Sequence, residues 1–294
     1  MKPIFIFNPN AANGKLKRKI NYVLSEIQNY FNEFNYIITN NENEIDKHLN
    51  LIDQYNTIIG VGGDGTINTI INHSLKLNNK TYGIIPFGSG NDLIYTLNIP
   101  KSIKKSLQII KNNRFLNIDL GYLKTETFSK YFLNAIGIGF DAMVAYKTNK
   151  IKFIDGQLKY YLSLIYCLFK YKYHLIKINI DEKYNNTLNP FLITIGNGKR
   201  TGGAFLLTPD AKIDDATFQV CLVDQVSIPI IIKSISKVIK GTHNTIEQVN
   251  LIHGKKIKIS SQDNLYIHFD GETPKQVKDI EITILPKRIK FIIP

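Results

Sequence analysis

The chain has 294 residues, of which 44% are hydrophobic and 21% are charged. That length is typical of about two domains with a sizeable core, and the composition excludes a disordered or disulfide-stapled protein. The 37 basic and 24 acidic residues give a net charge of +13. Such a balance favours polyanionic partners, namely nucleic acid, an anionic membrane or a phosphorylated small molecule, without choosing among them.

Neither the two cysteines nor the apolar segments predict a special compartment. Cys167 and Cys221 lie in apolar runs, where a thiol acts as a small hydrophobic group. The apolar N-terminal stretch is too short for a signal peptide. The longest nearly apolar stretch, residues 160–169, is too short to span a bilayer. A cytoplasmic protein is therefore expected.

Strand and helix signals alternate in the first third of the chain. Short apolar strands are predicted at residues 4–7, 36–38, 57–61 and 82–86. Helices are predicted between them, at residues 20–34, 45–52 and 67–75. Because strands that alternate with helices form βαβ units, this pattern predicts an α/β domain with a parallel sheet over residues 1–122.

Strands follow one another directly after Gly121. They are predicted at residues 131–136, 175–180, 191–195, 218–223, 256–260, 265–269 and 281–285. Two of them show the alternation of a half-buried antiparallel strand. Residues 123–285 are therefore expected to form an antiparallel β-sandwich domain.

The sharpest local motif is Gly60-Val-Gly62-Gly63-Asp64-Gly65-Thr66. A glycine-rich turn between a strand and a helix is typical of a phosphate site, because backbone N–H groups can approach the ligand closely. The glycine spacing formally matches the dinucleotide fingerprint, which needs an acidic residue about 20 positions later. Residues 66–91 contain no acidic residue, so a Rossmann dehydrogenase is disfavoured.

Two further polar turns follow predicted strands. Asn8-Pro9-Asn10 leads to Gly14 after the first strand, and Gly88-Ser89-Gly90-Asn91-Asp92 follows the fourth. Ligands of open α/β sheets bind at the carboxyl ends of the strands. The three turns together predict one shared nucleotide site.

These motifs, with Asp270-Gly271-Glu272 near the end of the chain, resemble the diacylglycerol kinase catalytic family. That family includes bacterial lipid kinases and is related to sphingosine and ceramide kinases. The resemblance extends to Gly137-Ile-Gly-Phe-Asp141 and to residues 209–215. It implies a fold of the NAD kinase and diacylglycerol kinase type, in which residues 286–294 return to the first domain.

The resemblance also implies where ATP binds. The implied nucleotide-binding residues are Asn8, Pro9, Asn10, Gly14, Thr39, Gly62, Gly63, Gly65, Thr66, Ile67, Asn68, Thr69 and Ser89. Asp64 would act at the phosphate and Mg²⁺ end of the nucleotide.

The acceptor side is implied by the later motifs. Glu272, with Asp270, would form the catalytic motif, in which Glu272 accepts the proton of the lipid hydroxyl. Asp92 and Asp141 would contact the lipid substrate. For Asp141, a plainer alternative is that it caps the N-terminus of a helix.

A structural Mg²⁺ site is implied at residues 212–217, with Lys212, Asp215 and Thr217 as its ligands. Carboxylate and backbone oxygens suit this hard cation. A solvated turn is the alternative, and Ala216 stands where many relatives have glycine, although alanine tolerates a positive φ poorly.

The remaining features leave more than one interpretation. Residues 160–169, with lysines on both sides, predict either a core helix or an amphipathic segment lying on an anionic membrane. The six histidines lack metal-ligand spacing and are expected on the surface or in strands.

The sequence thus predicts an ATP- and Mg²⁺-dependent kinase that phosphorylates a hydroxyl of a membrane lipid, with diacylglycerol as the first acceptor to test. It would act at the inner face of the membrane, and a homodimer is left open. Another lipid acceptor or an NAD kinase-type reaction is the near alternative. A basic nucleic-acid-binding protein is the distant one, because no clustered reading element or binding motif is present.

Overall fold

The computed structural model describes residues 2–40, 43–151, 157–274 and 276–294. It divides into two compact units. Unit 1 comprises Met1–Ile118 and Lys287–Pro294, and unit 2 comprises Asp119–Pro286. Unit 2 is therefore inserted into the chain of unit 1.

Unit 1 is built from alternating strands and helices. Its elements are β1 (Pro3–Phe7), α1 (Ile20–Gln28), β2 (Asn35–Ile38), α2 (Asn43–Lys47), α3 (Leu49–Asp53), β3 (Thr57–Gly62), α4 (Asp64–Ser74), β4 (Thr81–Pro86), α5 (Asp92–Thr96) and α6 (Ile103–Asn112). The strands form a parallel sheet in the order β2-β1-β3-β4. The predicted α/β fold with a parallel sheet is confirmed.

The central strands of unit 1 are largely apolar because helices cover both faces of the sheet. Strands β1, β3 and β4 are buried at every position, as expected for central strands of a parallel sheet. On one face, Phe5 makes edge-to-face contacts with Phe31 and Phe34. Helix α6 was not predicted, although Ser102 caps it by accepting a hydrogen bond from the Lys105 amide.

Unit 2 consists mostly of antiparallel strands. Its elements are β5 (Phe115–Thr125), which begins in unit 1, β6 (Ser129–Phe132), β7 (Ala135–Gly139), α7 (Phe140–Lys150), α8 (Gln157–Lys170), β8 (Ile176–Ile180), β9 (Tyr184–Leu188), β10 (Leu192–Gly196), β11 (Phe218–Val223), α9 (Ile228–Lys240), β12 (Val249–Gly254), β13 (Lys256–Leu265), β14 (Ile267–Phe269) and β15 (Val277–Ile292), which ends in unit 1.

The strands of unit 2 form two layers. One layer is a five-stranded antiparallel sheet in the order β12-β11-β10-β7-β14. In the other, β13 lies between β8 and β15, and β5 and β6 form a hairpin. Apolar side chains from both layers form one core. The predicted antiparallel β-sandwich is therefore confirmed.

Strand β15 belongs to both units. Its first part pairs with β13, and Lys290 and Phe291 near its end pair in parallel with Thr81 and Tyr82 of β4. A single continuous strand thus completes the edge of the unit 1 sheet.

The sequence patterns missed two features that position the site. The strand predicted at residues 131–136 is broken between β6 and β7, because a carboxylate from elsewhere in unit 2 binds the amides there. Helix α9 was not predicted, although Pro229 stands in its first turn and Gly241 ends it in a left-handed conformation.

Candidate active site

Two glycine turns meet at the carboxyl edge of the unit 1 sheet. Gly63 follows β3 and Gly88 follows β4, and a Cβ atom added to Gly63 would lie 2.7 Å from the Cα of Gly88. Neither residue can carry a side chain without displacing the other backbone. The glycines therefore bring the two polar turns together, as expected of one shared site.

Asp64 links these turns through its carboxylate. Its Oδ2 accepts a hydrogen bond from the Asp92 amide at 2.9 Å, and its Oδ1 accepts one from the Leu93 amide at 3.1 Å. These amides begin α5, where the helix dipole favours a negative charge. The Asp64 and Asp92 carboxylates flank Gly90, since a Cβ added there would lie 3.5 Å from an Oδ2 of each. Two carboxylates, whose oxygens are of the kind that Mg²⁺ prefers as ligands, thus border one turn.

A small cavity of about 60 Å³ opens beside the same edge. Four predicted nucleotide-binding residues line it, namely Asn8, Thr39, Thr66 and Thr69. Asn8 Nδ2 donates a hydrogen bond to Thr66 Oγ1 at 3.0 Å, which joins the first turn to the start of α4. The N-terminus of this helix has the polarity that suits a phosphate.

The other predicted nucleotide-binding residues do not line this cavity. Asn10 and Ser89 are exposed and Gly14, with a φ of +78°, lies in the first turn. Pro9 is buried, and Gly62 and Gly65 flank the turn between β3 and α4. In contrast, Ile67 and Asn68 are buried on the side of α4 that packs inward. Their contact with a nucleotide stays a prediction.

The Asp270-Gly271 pair forms a tight turn in unit 2. Their φ values are +45° and +89°, as a type I′ turn requires. Phe269 and Glu272 exchange backbone hydrogen bonds across the turn at 3.0 and 2.8 Å. The half-buried Glu272 thus stands at a fixed position one residue beyond the turn.

The Asp270 carboxylate anchors this turn to the break between β6 and β7. It accepts hydrogen bonds from the amides of Leu133 at 2.6 Å, Asn134 at 2.9 Å and Ala135 at 3.1 Å. Its geometry is that of a positioning residue for Glu272. A direct catalytic role for Asp270 stays a prediction.

Asp141 lies in the first turn of α7 but does not cap that helix, because the cap position is occupied by Gly139. Its Oδ1 accepts a hydrogen bond from the Ala142 amide at 2.8 Å, and its Oδ2 lies 3.2 Å from Nε2 of His268. A Cβ added to Gly137 would lie 2.1 Å from Asp141 Oδ2, so only glycine leaves room for this pair. Sequence reasoning missed His268, which is buried beside Asp141.

An apolar cavity of about 160 Å³ extends from Asp141 between α8, α9 and the five-stranded sheet. Its wall includes Leu164 and Leu168 of α8 and Ile231 and Val238 of α9. A largely apolar cavity with an acidic residue in its wall fits an amphiphilic molecule with a hydroxyl group and a hydrocarbon chain.

His243 also lines this cavity, and the expectation that the histidines lie on the surface or in strands is wrong for it. It is fully buried in a 3₁₀ turn, and its Nε2 lies 3.2 Å from the Leu207 carbonyl oxygen. Burial lowers the pKa of this imidazole below its ordinary value. His243 is therefore neutral at pH 7 and donates from Nε2 to that carbonyl.

Both cysteines are buried and free. Burial raises the pKa of Cys167 to about 11 and that of Cys221 to about 12. Because the thiolate is the reactive form, both are unreactive at neutral pH, and their interpretation as small hydrophobic groups is confirmed.

The loop predicted to bind Mg²⁺ is a tight turn in unit 2. Asp215 Oδ1 accepts hydrogen bonds from the amide and hydroxyl of Thr217, both at 3.0 Å, and Lys212 is exposed. Ala216 has a φ of +62°, and its amide donates to Oδ2 of Asp119 at 2.6 Å. Asp119, a fully buried carboxylate, was missed because no local motif surrounds it. Carboxylate, hydroxyl and backbone oxygens suit Mg²⁺, although the same bonds also fit a plain turn.

No group of three or more His, Cys, Asp or Glu side chains in the described part of the chain is arranged to hold a metal. No helix within residues 2–40, 43–151, 157–274 and 276–294 is long and apolar enough to cross a membrane.

Comparison with known proteins matches both parts of the chain to families. Residues 2–123 match the diacylglycerol kinase catalytic domain, and residues 134–293 match the YegS C-terminal NAD kinase beta sandwich-like domain. A diacylglycerol kinase of Staphylococcus saprophyticus is 28% identical over 272 residues, which cover 91% of this chain and 87% of that one. A diacylglycerol kinase of Bacillus subtilis is 29% identical over 74% of this chain and 72% of its own.

Solved structures share the fold. A diacylglycerol kinase from Bacillus anthracis has a TM-score of 0.75 at 22% identity and covers 100% of this chain and 97% of its own. Yeast NADH kinase has a TM-score of 0.56 at 12% identity and covers 100% of this chain and 84% of its own. The YegS C-terminal NAD kinase beta sandwich-like domain accounts for more than half of the chain, so the chain belongs to that family; with the diacylglycerol kinase catalytic domain that precedes it, the chain is an ATP-dependent kinase of the lipid kinase type.

Proposed function

We propose that this kinase transfers the γ-phosphate of ATP to the hydroxyl group of diacylglycerol and so forms phosphatidate. The observation that carries the choice of a lipid is the largely apolar cavity of unit 2, which includes Asp141 in its wall. A dinucleotide acceptor has no hydrocarbon chain to fill such a cavity. A diacylglycerol offers both a hydroxyl donor for a carboxylate and chains for the apolar wall.

In this proposal ATP binds at the glycine turns of unit 1. Asn8, Thr39, Thr66 and Thr69 line the cavity there, and the N-terminus of α4 favours phosphate. The neighbouring Asp64 and Asp92 carboxylates would hold Mg²⁺, whose charge would neutralise the phosphates. A second, structural Mg²⁺ is proposed at Asp215, Thr217 and the backbone of Lys212.

Glu272 is proposed as the general base. Its carboxylate takes the proton of the lipid hydroxyl while that oxygen forms a bond to the γ-phosphorus. The bond between the γ-phosphorus and the bridging oxygen breaks, and ADP leaves with the electron pair. The Asp270-Gly271 turn, held by three backbone amides, fixes the backbone of Glu272.

The lipid acceptor also implies where the reaction takes place. We propose that the enzyme works in the cytoplasm, peripheral to the inner face of the membrane. The homodimer left open by the sequence stays a prediction, which sedimentation velocity of the purified chain would test.

The proposal is tested by following label from the γ-phosphate of ATP, with MgCl₂, into a monodisperse short-chain diacylglycerol or into NAD. Glu272→Gln should lower kcat for the lipid by about a hundredfold to ten-thousandfold, because a general base contributes about that much. The matched control is Glu247→Gln, at an exposed glutamate of the same unit. It should match the wild type.

Label in NADP, or in no acceptor at all, would overturn the proposal. So would an unchanged rate in Glu272→Gln. Label in another lipid tested in parallel would keep the kinase class and replace the acceptor. The nucleic-acid alternative is tested by adding DNA over a range of salt concentrations, because a nucleic-acid partner would bind most strongly at low salt. The rate of phosphate transfer should stay unchanged throughout.

A further inference from the structure

Exposed hydrophobic side chains are concentrated on two helices of unit 2. Among the described residues, ten of the sixteen exposed large hydrophobic residues lie on α8 and α9. The ten are Leu158, Tyr161, Leu162, Ile165, Tyr166, Phe169, Ile230, Ile232, Ile235 and Ile239. Single exposed hydrophobic residues are ordinary, whereas a concentration of them marks an interaction surface.

Helix α8 has an inner and an outer face. Ser163 and Cys167 are buried, while Phe169 on the outer face is 74% exposed. At 100° per residue, the six exposed hydrophobic residues cover one arc of roughly 140°. Lys159 and Lys170 lie together at one edge of this arc. The helix thus combines both sequence interpretations, with a packed inner face and an amphipathic outer one.

Helix α9 shows the same arrangement more sharply. No residue of it is buried, although seven of its thirteen residues are isoleucine or valine. Ile232, Ile235 and Ile239 follow the spacing of one helix face and are all exposed. Lys233, Lys237 and Lys240 form a second stripe beside them.

The charge of the two helices decides which partner fits. Neither α8 nor α9 contains an acidic residue, and together they carry five lysines. A helix with an apolar stripe beside a lysine stripe is typical of one that lies in the interface of an anionic bilayer, with the lysines among the headgroups. A second copy of the chain would bring the same positive charges against each other, which disfavours self-association through this surface.

The surface also borders the apolar cavity. Ile232 and Ile235 are exposed and at the same time line that cavity, so the cavity opens between the residues that would meet the lipid. We therefore propose that the exposed faces of α8 and α9, the α8–α9 surface, dock the enzyme on a bilayer that contains anionic phospholipid. The proposal rests on the proposed function, since it names the membrane surface at which that substrate is reached.

The test measures binding of the full chain to sedimented vesicles of phosphatidylcholine, with or without phosphatidylglycerol. The wild type should bind the mixed vesicles more tightly. The variants replace residues that do not line the cavity. Ile165→Ser with Phe169→Ser should weaken binding to both vesicles by about tenfold or more, through lost apolar burial. Lys233→Glu with Lys240→Glu should weaken binding about tenfold or more to the anionic vesicles only.

Matched controls remove the same chemistry elsewhere. Leu175→Ser changes an exposed hydrophobic residue of unit 2, and Lys183→Glu with Lys76→Glu changes two exposed lysines outside both helices. Leu175→Ser should bind like the wild type. The lysine controls should lose less than Lys233→Glu with Lys240→Glu, because charges that are not part of the docking surface act only through net charge. Equal losses in test and control variants would overturn the docking surface.

Activity on the monodisperse short-chain diacylglycerol separates this proposal from the proposed function. The α8 and α9 variants should keep that activity and lose the rate on vesicle-embedded diacylglycerol. A wild type that binds vesicles through these helices but phosphorylates no lipid would overturn the function alone. Unchanged vesicle binding in active variants would overturn the docking surface alone. A lower sedimentation coefficient of the variants in the absence of lipid would assign the surface to a second copy instead.

Discussion

Asp64 in unit 1 and Asp270 in unit 2 each have a carboxylate that accepts hydrogen bonds from backbone amides. The separation in sequence between the carboxylate and those amides differs greatly between the two units. Asp64 accepts hydrogen bonds from amides 28 and 29 residues away, at the start of α5. Asp270 accepts them from three amides that lie 135 to 137 residues away. In each case a charge at a glycine turn binds backbone amides and fixes that turn. The proposed nucleotide side is thus organised within one stretch of about thirty residues, and the proposed acceptor side by residues from opposite ends of unit 2.

The largest expected effect is a difference in stability between variants that remove one or the other of these two carboxylates. Asp270→Ala should lower the free energy of unfolding of unit 2 by about 3 kcal/mol or more, because three buried amides lose a charged acceptor. Asp64→Ala should cost about 1–2 kcal/mol, because only two amides, in hydrogen bonds that are partly buried, lose their acceptor. Urea unfolding followed by circular dichroism measures both.

A control for this pair is Asp214→Ala, at an exposed carboxylate of unit 2, which should change stability by less than about 0.5 kcal/mol. Equal losses in the free energy of unfolding for Asp64→Ala and Asp270→Ala would contradict this comparison. They would show that the number of amides bound by each carboxylate does not determine its contribution to stability.

Asp141 sharpens the comparison, because a side chain as well as an amide holds its carboxylate. His268→Leu removes the imidazole that lies 3.2 Å from Asp141 Oδ2. We expect the KM for the lipid acceptor to rise about tenfold, because the carboxylate loses one hydrogen bond that orients it. The KM for ATP should not change.

His268→Gln restores an N–H donor and should recover most of the acceptor KM. A merely structural role would instead lower the kcat of both variants and the stability of both in parallel. An acceptor KM that stays unchanged in His268→Leu would show that this histidine does not position Asp141.

Asp119 extends the comparison to the loop with Ala216. Ala216 donates its amide to Asp119 at a φ of +62°, a conformation that costs an alanine about 1 kcal/mol or more. Ala216→Gly should therefore raise the free energy of unfolding by about 0.5–1 kcal/mol, after the greater freedom of glycine in the unfolded chain is allowed for. Thermal unfolding measures the change.

The matched control is Ala145→Gly inside helix α7, where glycine should instead lower stability by about 0.5–1 kcal/mol. A loss of stability in both variants would mean that the left-handed turn at position 216 is not strained.

His243 provides the contrast of a buried group that stays neutral. Burial lowers its pKa in the folded chain below the ordinary value of 6.5. Below about pH 6.5 the unfolded chain therefore binds a proton that the folded chain refuses, so stability falls as the pH falls and is unaffected above that range. Tm measured from about pH 7.5 to about pH 5.5 should decrease less steeply in His243→Leu than in the wild type. Parallel curves would contradict a neutral, buried His243.

The sequence patterns predicted unit 1 well because its signals are local. The turns at Gly63 and Gly88 follow apolar strands directly, so their meeting at one sheet edge follows from parallel strand order. The sequence could not show that Thr66 and Thr69 line the cavity while Ile67 and Asn68 do not, because the orientation of α4 depends on the residues packed against it.

On the proposed acceptor side, the sequence predicted the motifs but not the contacts between residues far apart in the chain. The pairing of Asp141 with His268 joins residues 127 positions apart, and no periodicity connects them. Asp119 stands alone in the sequence, and its role depends on the loop at Ala216. Helix α9 resembles a buried strand by composition. None of its residues is buried, because one side of the helix lines the cavity. Elements far apart in the sequence form that cavity together, so no single segment predicts it.

The path of β15 has a consequence for how the chain folds during synthesis. The ribosome releases strands β1 to β4 early, but the edge of β4 gains its parallel partner only when Lys290 and Phe291 emerge. Until then the nascent sheet has an open edge at a buried, apolar strand, which is a site for mispairing with other chains. Synthesis arrested before residue 290 should therefore yield aggregation-prone chains, because the pairing of β15 with β4 has not yet formed.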